Sequence, residues 1–239
     1  RGVAAHFETA VEETGWRATR ADVNILLVHQ TFVGARCGPG NFLFRAGPDA
    51  IACGAVPTGF HYVAAGHVHR HQVLNGNAAD GPPIVYAGSP DRVSFAELGE
   101  PKGSVLVEFS DGHVQPHFVE HAVRPMELLP LDITGLSGAA VAERVLAALR
   151  AVPVDAVVQV RITGQATRRA LAGLQLMPRI RDARPDLTAT VSLRAVEWLT
   201  ERAAARVARQ RDQSAFEVLD APPVPRITVS LDQVGTLPA

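Results

Sequence analysis

The sequence is poor in cysteine, in long apolar runs and in net charge. Its 239 residues include two cysteines, Cys37 and Cys53, without a Cys-x-x-Cys spacing, which predicts no disulfide framework and a reducing, cytoplasmic setting. No apolar run reaches the roughly 18 residues of a membrane-spanning helix, and no signal-peptide pattern opens the chain, so no membrane association is expected. The formal net charge of −1 gives no general attraction to nucleic acid.

The remaining composition is that of an ordinary globular protein. Apolar residues make up 47% of the chain and charged residues 20%, and the length suits one large domain or two small ones, each with its own core. A neutral charge balance does not exclude an enzyme that acts on DNA, because metal ions and a local basic patch can hold the phosphates.

Three histidines follow two predicted strands. Residues 23–28 and 62–66 are apolar runs typical of buried strands; His29 comes directly after the first, and His67 and His69 after the second. Imidazoles at the ends of neighbouring strands predict a nitrogen-rich metal site. A single histidine in such a place is more often a hydrogen-bonded polar residue, so the neighbouring segments matter to the interpretation.

Four segments of the chain share their order and residues with one enzyme family. They are Val28-His29-Gln30, Gly66-His67-Val68-His69-Arg70-His71-Gln72, Tyr86-Ala87-Gly88-Ser89-Pro90-Asp91-Arg92 and Phe95-Ala96-Glu97-Leu98-Gly99-Glu100-Pro101-Lys102-Gly103. Together they resemble the SbcD nucleases, which are bacterial members of the calcineurin-like metallophosphoesterases. The resemblance extends from about residue 20 to about residue 195.

The resemblance implies a two-metal phosphodiesterase site. Matched by position, His29 and His67 would be ligands of one metal and His69 a ligand of the other, with Mn²⁺ as the expected ion and Mg²⁺ as the alternative. Arg92 is the candidate phosphate and DNA contact, because a guanidinium matches two phosphate oxygens. The segment Gly88–Arg92 is, by itself, equally typical of a simple turn.

The acidic motifs of this family have no match in the chain. The family begins with Asp-x-His, followed by Gly-Asp-x-x-Asp and Gly-Asn-His-Asp or Gly-Asn-His-Glu, and nothing before His29 corresponds to any of them. We therefore expect the chain to be the back portion of such an enzyme, and inactive by itself.

The pattern along the chain predicts an α/β (α+β) fold with three parts. Residues 1–121 are predicted to form the back part of a metallophosphoesterase β-sandwich, residues 122–195 a small β/α capping domain that orients DNA, and residues 196–239 a C-terminal helix and tail. Within these parts the expected elements are helices at 4–14, 139–150, 166–176 and 196–213, strands at 84–87, 156–163 and 187–194, a hairpin at 104–120, a turn region at 73–83 and a linker at 125–138.

Three functional hypotheses follow. The first is a subunit of an SbcCD-type complex, a metal-dependent DNA exonuclease and endonuclease that works with an SbcC-type ATPase in a heterotetramer or homodimer. The second is a calcineurin-like phosphoesterase acting on small phosphate esters, which would not need the module after residue 121. The third is a DNA- or partner-binding module without catalysis of its own, since the acidic ligands are absent from this chain.

Overall fold

A four-stranded sheet organises the first part of the chain. The computed structural model describes residues 2–75, 81–207 and 209. The sheet contains β1 (Ile25–Val28), β4 (Tyr62–Ala65) and β6 (Ile84–Tyr86) in parallel, and β5 (Gln72–Leu74) antiparallel to β6. The spatial order is β1-β4-β6-β5, so β1 lies at one edge.

The central strands are buried as their apolar sequences predict. In β4 and β6, six of the seven residues are buried, which is expected for strands covered on both faces. Helix α1 (Phe7–Glu13) contributes Phe7 and Val11 to the same core, and the short strands β2 (Arg36–Cys37) and β3 (Phe42–Leu43) pair with each other. The first core includes Phe7, Val11, Phe32, Ile51, Val63, Ile84 and Tyr86.

A hairpin follows the sheet. Strands β7 (Gly103–Ser110) and β8 (His113–Glu120) pair along their whole length, from Gly103 opposite Glu120 to Ser110 opposite His113. The two turn residues, Asp111 and Gly112, have φ values of 49° and 77°, which are those of a type I′ turn. The hairpin predicted from the Asp-Gly pair is therefore confirmed.

The remaining elements form a β/α unit around a second core. Strands β9 (Met126–Asp132), β10 (Val157–Thr167) and β11 (Thr188–Leu199) make a parallel sheet in the order β11-β10-β9. Helices α2 (Gly138–Leu149), α3 (Arg168–Leu171) and α4 (Leu176–Ala183) connect them. The core consists mainly of Val141, Val145, Leu149, Val158, Val160, Ile162 and Ile180.

Two segments predicted to be irregular form strands instead. The predicted linker contains β9, whose Pro130 is tolerated because an edge strand can lose a backbone donor without breaking the sheet. Similarly, the predicted turn region begins with β5, which pairs with β6 through Gln72 to Leu74. Residues 76–80 of that turn region lie outside the described residues.

Two predicted helices are wrong in position because strands extend further than expected. Strand β10 continues to Thr167 and pairs with β11, which continues to Leu199, and these pairings override the helical pattern of apolar residues. The helix predicted at 166–176 is reduced to α3, which a turn at Gly173, with φ 75°, separates from α4. The predicted C-terminal helix begins at residue 201 rather than 196, and its residues after 207, apart from 209, lie outside the description.

The mixed content of helices and parallel sheets confirms the predicted α/β class. The division of the chain into three domains stays a prediction, although β11 passes through residue 195. Among the described residues, no helix has the length and hydropathy to cross a bilayer.

Candidate metal centre

The predicted site lies where three parallel strands of the sheet have their carboxyl ends. His29 follows β1, Gly66 and His67 follow β4, and Gly88 comes two residues after β6. The backbone N–H of Gly66 donates to the carbonyl oxygen of Val28 at 2.8 Å, which extends the pairing of β1 and β4 to the point where the histidines begin. Side chains after the carboxyl ends of parallel strands line the crevice in which α/β proteins usually bind ligands.

His29 and His67 form a pair. Their ring centroids lie 5.4 Å apart, and the ring planes meet at 78°. His67 adopts a φ of 86°, a conformation that non-glycine residues rarely adopt and that is often retained at functional sites. The absence of a side chain on Gly66 leaves room for the His29 imidazole above the end of β4. The two predicted ligands of one metal are therefore brought together.

His69 lies against a carboxylate instead of joining the pair. Its Nδ1 is 2.9 Å from Oε1 of Glu97, and its side chain is 48% exposed. Within residues 2–75, 81–207 and 209, no three His, Cys, Asp or Glu side chains gather closely enough to hold one metal ion. His69 thus has one ring nitrogen engaged, and its Nε2 remains for another ligand.

A buried ionic cluster, made of Glu97, Lys102, Glu100 and Arg70, supports His69. The Lys102 Nζ lies 2.7 Å from Glu97 Oε2 and 3.3 Å from Glu100 Oε2, and it donates to the carbonyl oxygen of His69 at 2.9 Å. Arg70 is paired with Glu100 at 2.7 Å. Lys102 is 1% exposed, so water cannot solvate its ammonium charge. The carboxylates of Glu97 and Glu100 compensate that charge instead.

The carboxyl group of Glu97 stays ionised in this cluster. Burial raises its pKa, but hydrogen bonds from Lys102, His69 and the backbone N–H of Val93 more than offset the burial. The pKa of Glu97 is therefore lower than the ordinary value for a glutamate.

The Gly88–Arg92 segment packs against the same loop. A Cβ on Gly88 would lie 2.9 Å from the carbonyl oxygen of His69 and from the nitrogen of His71, and Gly88 has a φ of 85°. The Ser89 N–H donates to the His69 carbonyl at 3.1 Å. The segment is irregular, with a bend at Pro90 and Asp91, and it lies directly against the backbone of a predicted ligand.

Arg92 ends this segment but is not directed at the histidine pair by any described contact. Its Nη1 donates to the carbonyl oxygen of Arg124 at 3.5 Å, while its Nε is buried and has no hydrogen-bond partner among the described residues. A role of Arg92 in phosphate binding stays a prediction.

Two cavities open beside the histidines. A cleft of about 880 Å³ is lined in part by His67, Gln30, Phe42 and Arg45. A smaller one of about 210 Å³ is lined by His67, His69 and Glu97 among others. His67 lines both of them.

The donor set fits the imidazole part of a two-metal centre. Neutral imidazole is a common ligand of zinc and iron, whereas manganese and magnesium favour oxygen ligands beside it. A carboxylate on the far nitrogen of a ligand histidine is a common arrangement around metals. Two adjacent cations also need carboxylates that bridge them, and the described part of the chain does not bring such carboxylates together with these histidines.

Sequence reasoning missed the roles of Glu97 and Lys102. Both residues belong to a segment that carries the family resemblance, but no function was attached to them. One signal was available, since Lys102 is the single lysine in a chain with 22 arginines. In the structure this lysine is buried and its compact ammonium group meets two carboxylates.

Comparison with known proteins gives similarity to one group of nucleases. The chain is 30% identical over 127 residues to the SbcD component of the nuclease SbcCD from Rhodobacter capsulatus, and 35% identical over 80 residues to the same component from Escherichia coli K12. It is 31% identical over 113 residues to the DNA double-strand break repair protein Mre11 of Saccharolobus solfataricus. No family model matches the chain.

These matches cover part of each protein. They include 52%, 32% and 46% of this chain, but 29%, 18% and 27% of the respective relatives, so the chain spans less than a third of the length of these relatives. The similarity confirms the resemblance to SbcD-type nucleases that the motifs indicated.

Proposed function

We propose that this chain contributes the imidazole ligands of a two-metal DNA nuclease of the SbcD type. The observation that supports the proposal is the pairing of the His29 and His67 rings at the carboxyl ends of β1 and β4. His69 lies two residues further along the chain. The relatives with similar sequences are named as components of a nuclease and as a double-strand break repair protein.

Each histidine has a defined part in the proposed chemistry. His29 and His67 would hold one ion through their paired rings, and His69 would hold the second through Nε2. When bound, two Mn²⁺ ions, or Mg²⁺ as the alternative, lower the pKa of a water molecule and offset the charge of the phosphate. Arg92, whose Nε–H has no partner among the described residues, is proposed to bind a phosphate oxygen of the DNA.

The remaining parts of the proposal concern the native protein as a whole. Carboxylates that bridge the ions would come from the family motifs that have no match here. The substrate would be DNA and the partner an SbcC-type ATPase, in a heterotetramer or homodimer located in the cytoplasm, since two of the relatives are named as parts of SbcCD. The β/α unit of β9 to β11 would act as the capping domain that orients DNA.

Two other functions compete with this one. A phosphoesterase for small esters would use the same histidines but would have no need of the β/α unit with its separate core. A module without catalysis would bind DNA or a partner, and its histidines would then serve structure alone.

The test is a histidine substitution in the full-length native protein. We expect His69→Ala to abolish Mn²⁺-dependent cleavage of linear double-stranded DNA while the thermal midpoint changes little, because the side chain is half exposed. His113→Ala, at an exposed position of the hairpin, is the matched control and should retain activity. Full nuclease activity in a folded His69→Ala protein would contradict the assignment.

A second substrate separates the alternatives. If the native protein hydrolyses a small chromogenic phosphodiester but leaves DNA intact, the phosphoesterase interpretation is correct. If it cleaves neither and binds no Mn²⁺, the chain belongs to a binding module.

A further inference from the structure

We infer that Glu97 is a positioning residue for His69, which it holds in the tautomer that presents Nε2 to a metal, and that Lys102 fixes Glu97 in place. The assignment of the tautomer rests on the described contacts alone. Its consequence for metal binding rests on the proposed function, in which His69 is a ligand.

The carboxylate of Glu97 is held at both oxygens. Oε1 lies 2.9 Å from Nδ1 of His69, while Oε2 lies 2.7 Å from the Lys102 ammonium and accepts from the Val93 N–H at 3.3 Å. The side chain of Glu97 is 10% exposed. Because both ends are engaged and water has little access, the carboxylate cannot rotate away from the imidazole without losing a charged partner.

The chemistry of the two groups decides the tautomer. An ionised carboxylate can only accept hydrogen bonds, so the Nδ1 of His69 has to carry the proton that joins them. In a neutral imidazole the lone pair then resides on Nε2, which is the atom that a metal would use. The carboxylate also restricts rotation of the ring about the bond to its backbone.

Each carboxylate of the cluster lies beside a cation. Glu97 is paired with Lys102, and Glu100 is paired with both Lys102 and Arg70. Glu97 is therefore an acceptor toward the Nδ1 of His69.

Lys102 links the side chain and the backbone of the same histidine. Its ammonium has three protons, and its three acceptors are Glu97, Glu100 and the His69 carbonyl oxygen. The backbone of His69 and the carboxylate that holds its ring are therefore attached to one buried atom. The arrangement uses the compact ammonium group of lysine, which directs its protons to three acceptors from one atom.

The test begins with the tautomer of the unmodified chain. We expect long-range ¹H–¹⁵N spectra of histidine-labelled protein, without metal, to show His69 in the Nδ1–H form, with the signal identified by its loss in His69→Ala. An Nε2–H form would overturn the inference directly.

Glu97→Gln is the diagnostic substitution. The Lys102 ammonium requires an acceptor, so the new amide oxygen should turn toward it and the amide NH₂ toward Nδ1 of His69. His69 would then have to place its proton on Nε2, and the Mn²⁺ affinity of the full-length protein should fall by about 10–100-fold, as for other supporting partners of metal ligands. Glu97→Ala should lower the affinity without imposing the Nε2–H form.

The control is Glu108→Gln, which changes another carboxylate beside a histidine. Glu108 Oε2 lies 3.5 Å from His117 Nε2 on the exposed face of the hairpin. This variant should leave both the His69 spectrum and the Mn²⁺ affinity unchanged.

The outcomes distinguish this inference from the proposed function. A changed tautomer in Glu97→Gln with unchanged Mn²⁺ affinity would contradict the positioning role. If His69→Ala also leaves Mn²⁺ affinity unchanged, the proposed ligand role of His69 is the part that fails. A loss of affinity in both variants, with the predicted change of tautomer, supports both.

Discussion

The imidazole of His29 occupies the place where a side chain on Gly66 would stand. The Nδ1 of His29 lies 2.7 Å from the position of an ideal Cβ on Gly66, a distance that real Cβ atoms essentially never show. The two residues follow neighbouring parallel strands, β1 and β4, so the geometry of the sheet itself brings the ring over the glycine. The position of His29 therefore explains why residue 66 is a glycine, and unusual backbone angles do not.

The first prediction concerns Gly66→Ala. The added methyl group should push the His29 ring aside and lower the Mn²⁺ affinity of the full-length protein by about tenfold or more, the effect expected when a ligand loses its orientation. The strand pairing before residue 66 should persist. Gly54→Ala, where a Cβ would meet no atom within 4 Å, is the control for a general effect of replacing glycine. Unchanged Mn²⁺ affinity in Gly66→Ala would exclude His29 as a ligand.

The second prediction concerns Tyr86, which supports the loop after His29. Its hydroxyl donates to the carbonyl oxygen of Gln30 and accepts from the Phe32 N–H, both at 2.8 Å, and its side chain is fully buried. Tyr86→Phe should lower the free energy of unfolding by roughly 1–3 kcal/mol, because two backbone groups lose their buried partner. Urea denaturation would measure this change, with Tyr62→Phe as the control for the chain's other tyrosine.

The difference in free energy of unfolding between the unmodified protein and Tyr86→Phe should change with pH in a definite direction. Burial raises the pKa of Tyr86 from 10.0 to about 12. Between these values the unfolded chain loses the phenolic proton while the folded protein retains it, so stability falls as the pH rises, by up to roughly 1.4 kcal/mol per pH unit. Because Tyr86→Phe cannot lose this proton, the difference in stability between the two proteins should narrow above pH 10. A constant difference would contradict the raised pKa.

The sequence predicted the strand ends better than it predicted the contacts around them. Apolar runs that end near a histidine locate strand ends, and β1 and β4 end where this local signal predicts, just before His29 and His67. The contact between Glu97 and His69 joins residues 28 positions apart through a loop, and no local pattern encodes it.

The strand errors have a different physical cause. Pro130 and the helix-like spacing after Val196 both favour other structures locally, but pairing with the central strand β10 overrides them. The free energy of such local preferences is small compared with the free energy gained by burying a continuous core. Single-sequence patterns therefore predict the buried centre of each sheet more accurately than its edges.

The third prediction concerns self-association of residues 1–239. Strand β1 lies at the edge of its sheet, with Ile25 51% and Leu27 81% exposed. An apolar strand whose outer edge pairs with no strand of the described part of the chain favours pairing with other chains. We therefore expect the chain to form oligomers in sedimentation experiments. Leu27→Lys should shift it toward the monomer. Val154→Lys, which replaces a residue that is 77% exposed outside the strands, is the control and should not.

A monomeric unmodified chain at micromolar concentration would contradict this prediction. Equal effects of the two lysine substitutions would attribute the association to general hydrophobicity and not to the β1 edge.

The fourth prediction concerns the β/α unit. It has its own core, built from residues 133–196, whereas the core around the histidines is built from residues 7–86. Residues 201–207 should be removed with it, because several of them line a pocket together with Leu136 and Thr167.

Deletion of residues 125–207 from the full-length protein should therefore separate two activities. If the unit orients DNA, cleavage of linear duplex DNA should fall by about tenfold or more, because contacts to the phosphate backbone supply much of the affinity for DNA. Hydrolysis of a small chromogenic phosphodiester should change much less, since the histidines and the ionic cluster all precede residue 103. Thermal denaturation of the deleted protein would show that the first core remains folded. An equal loss on both substrates, in a folded protein, would mean that the unit serves the catalytic site and not the binding of DNA.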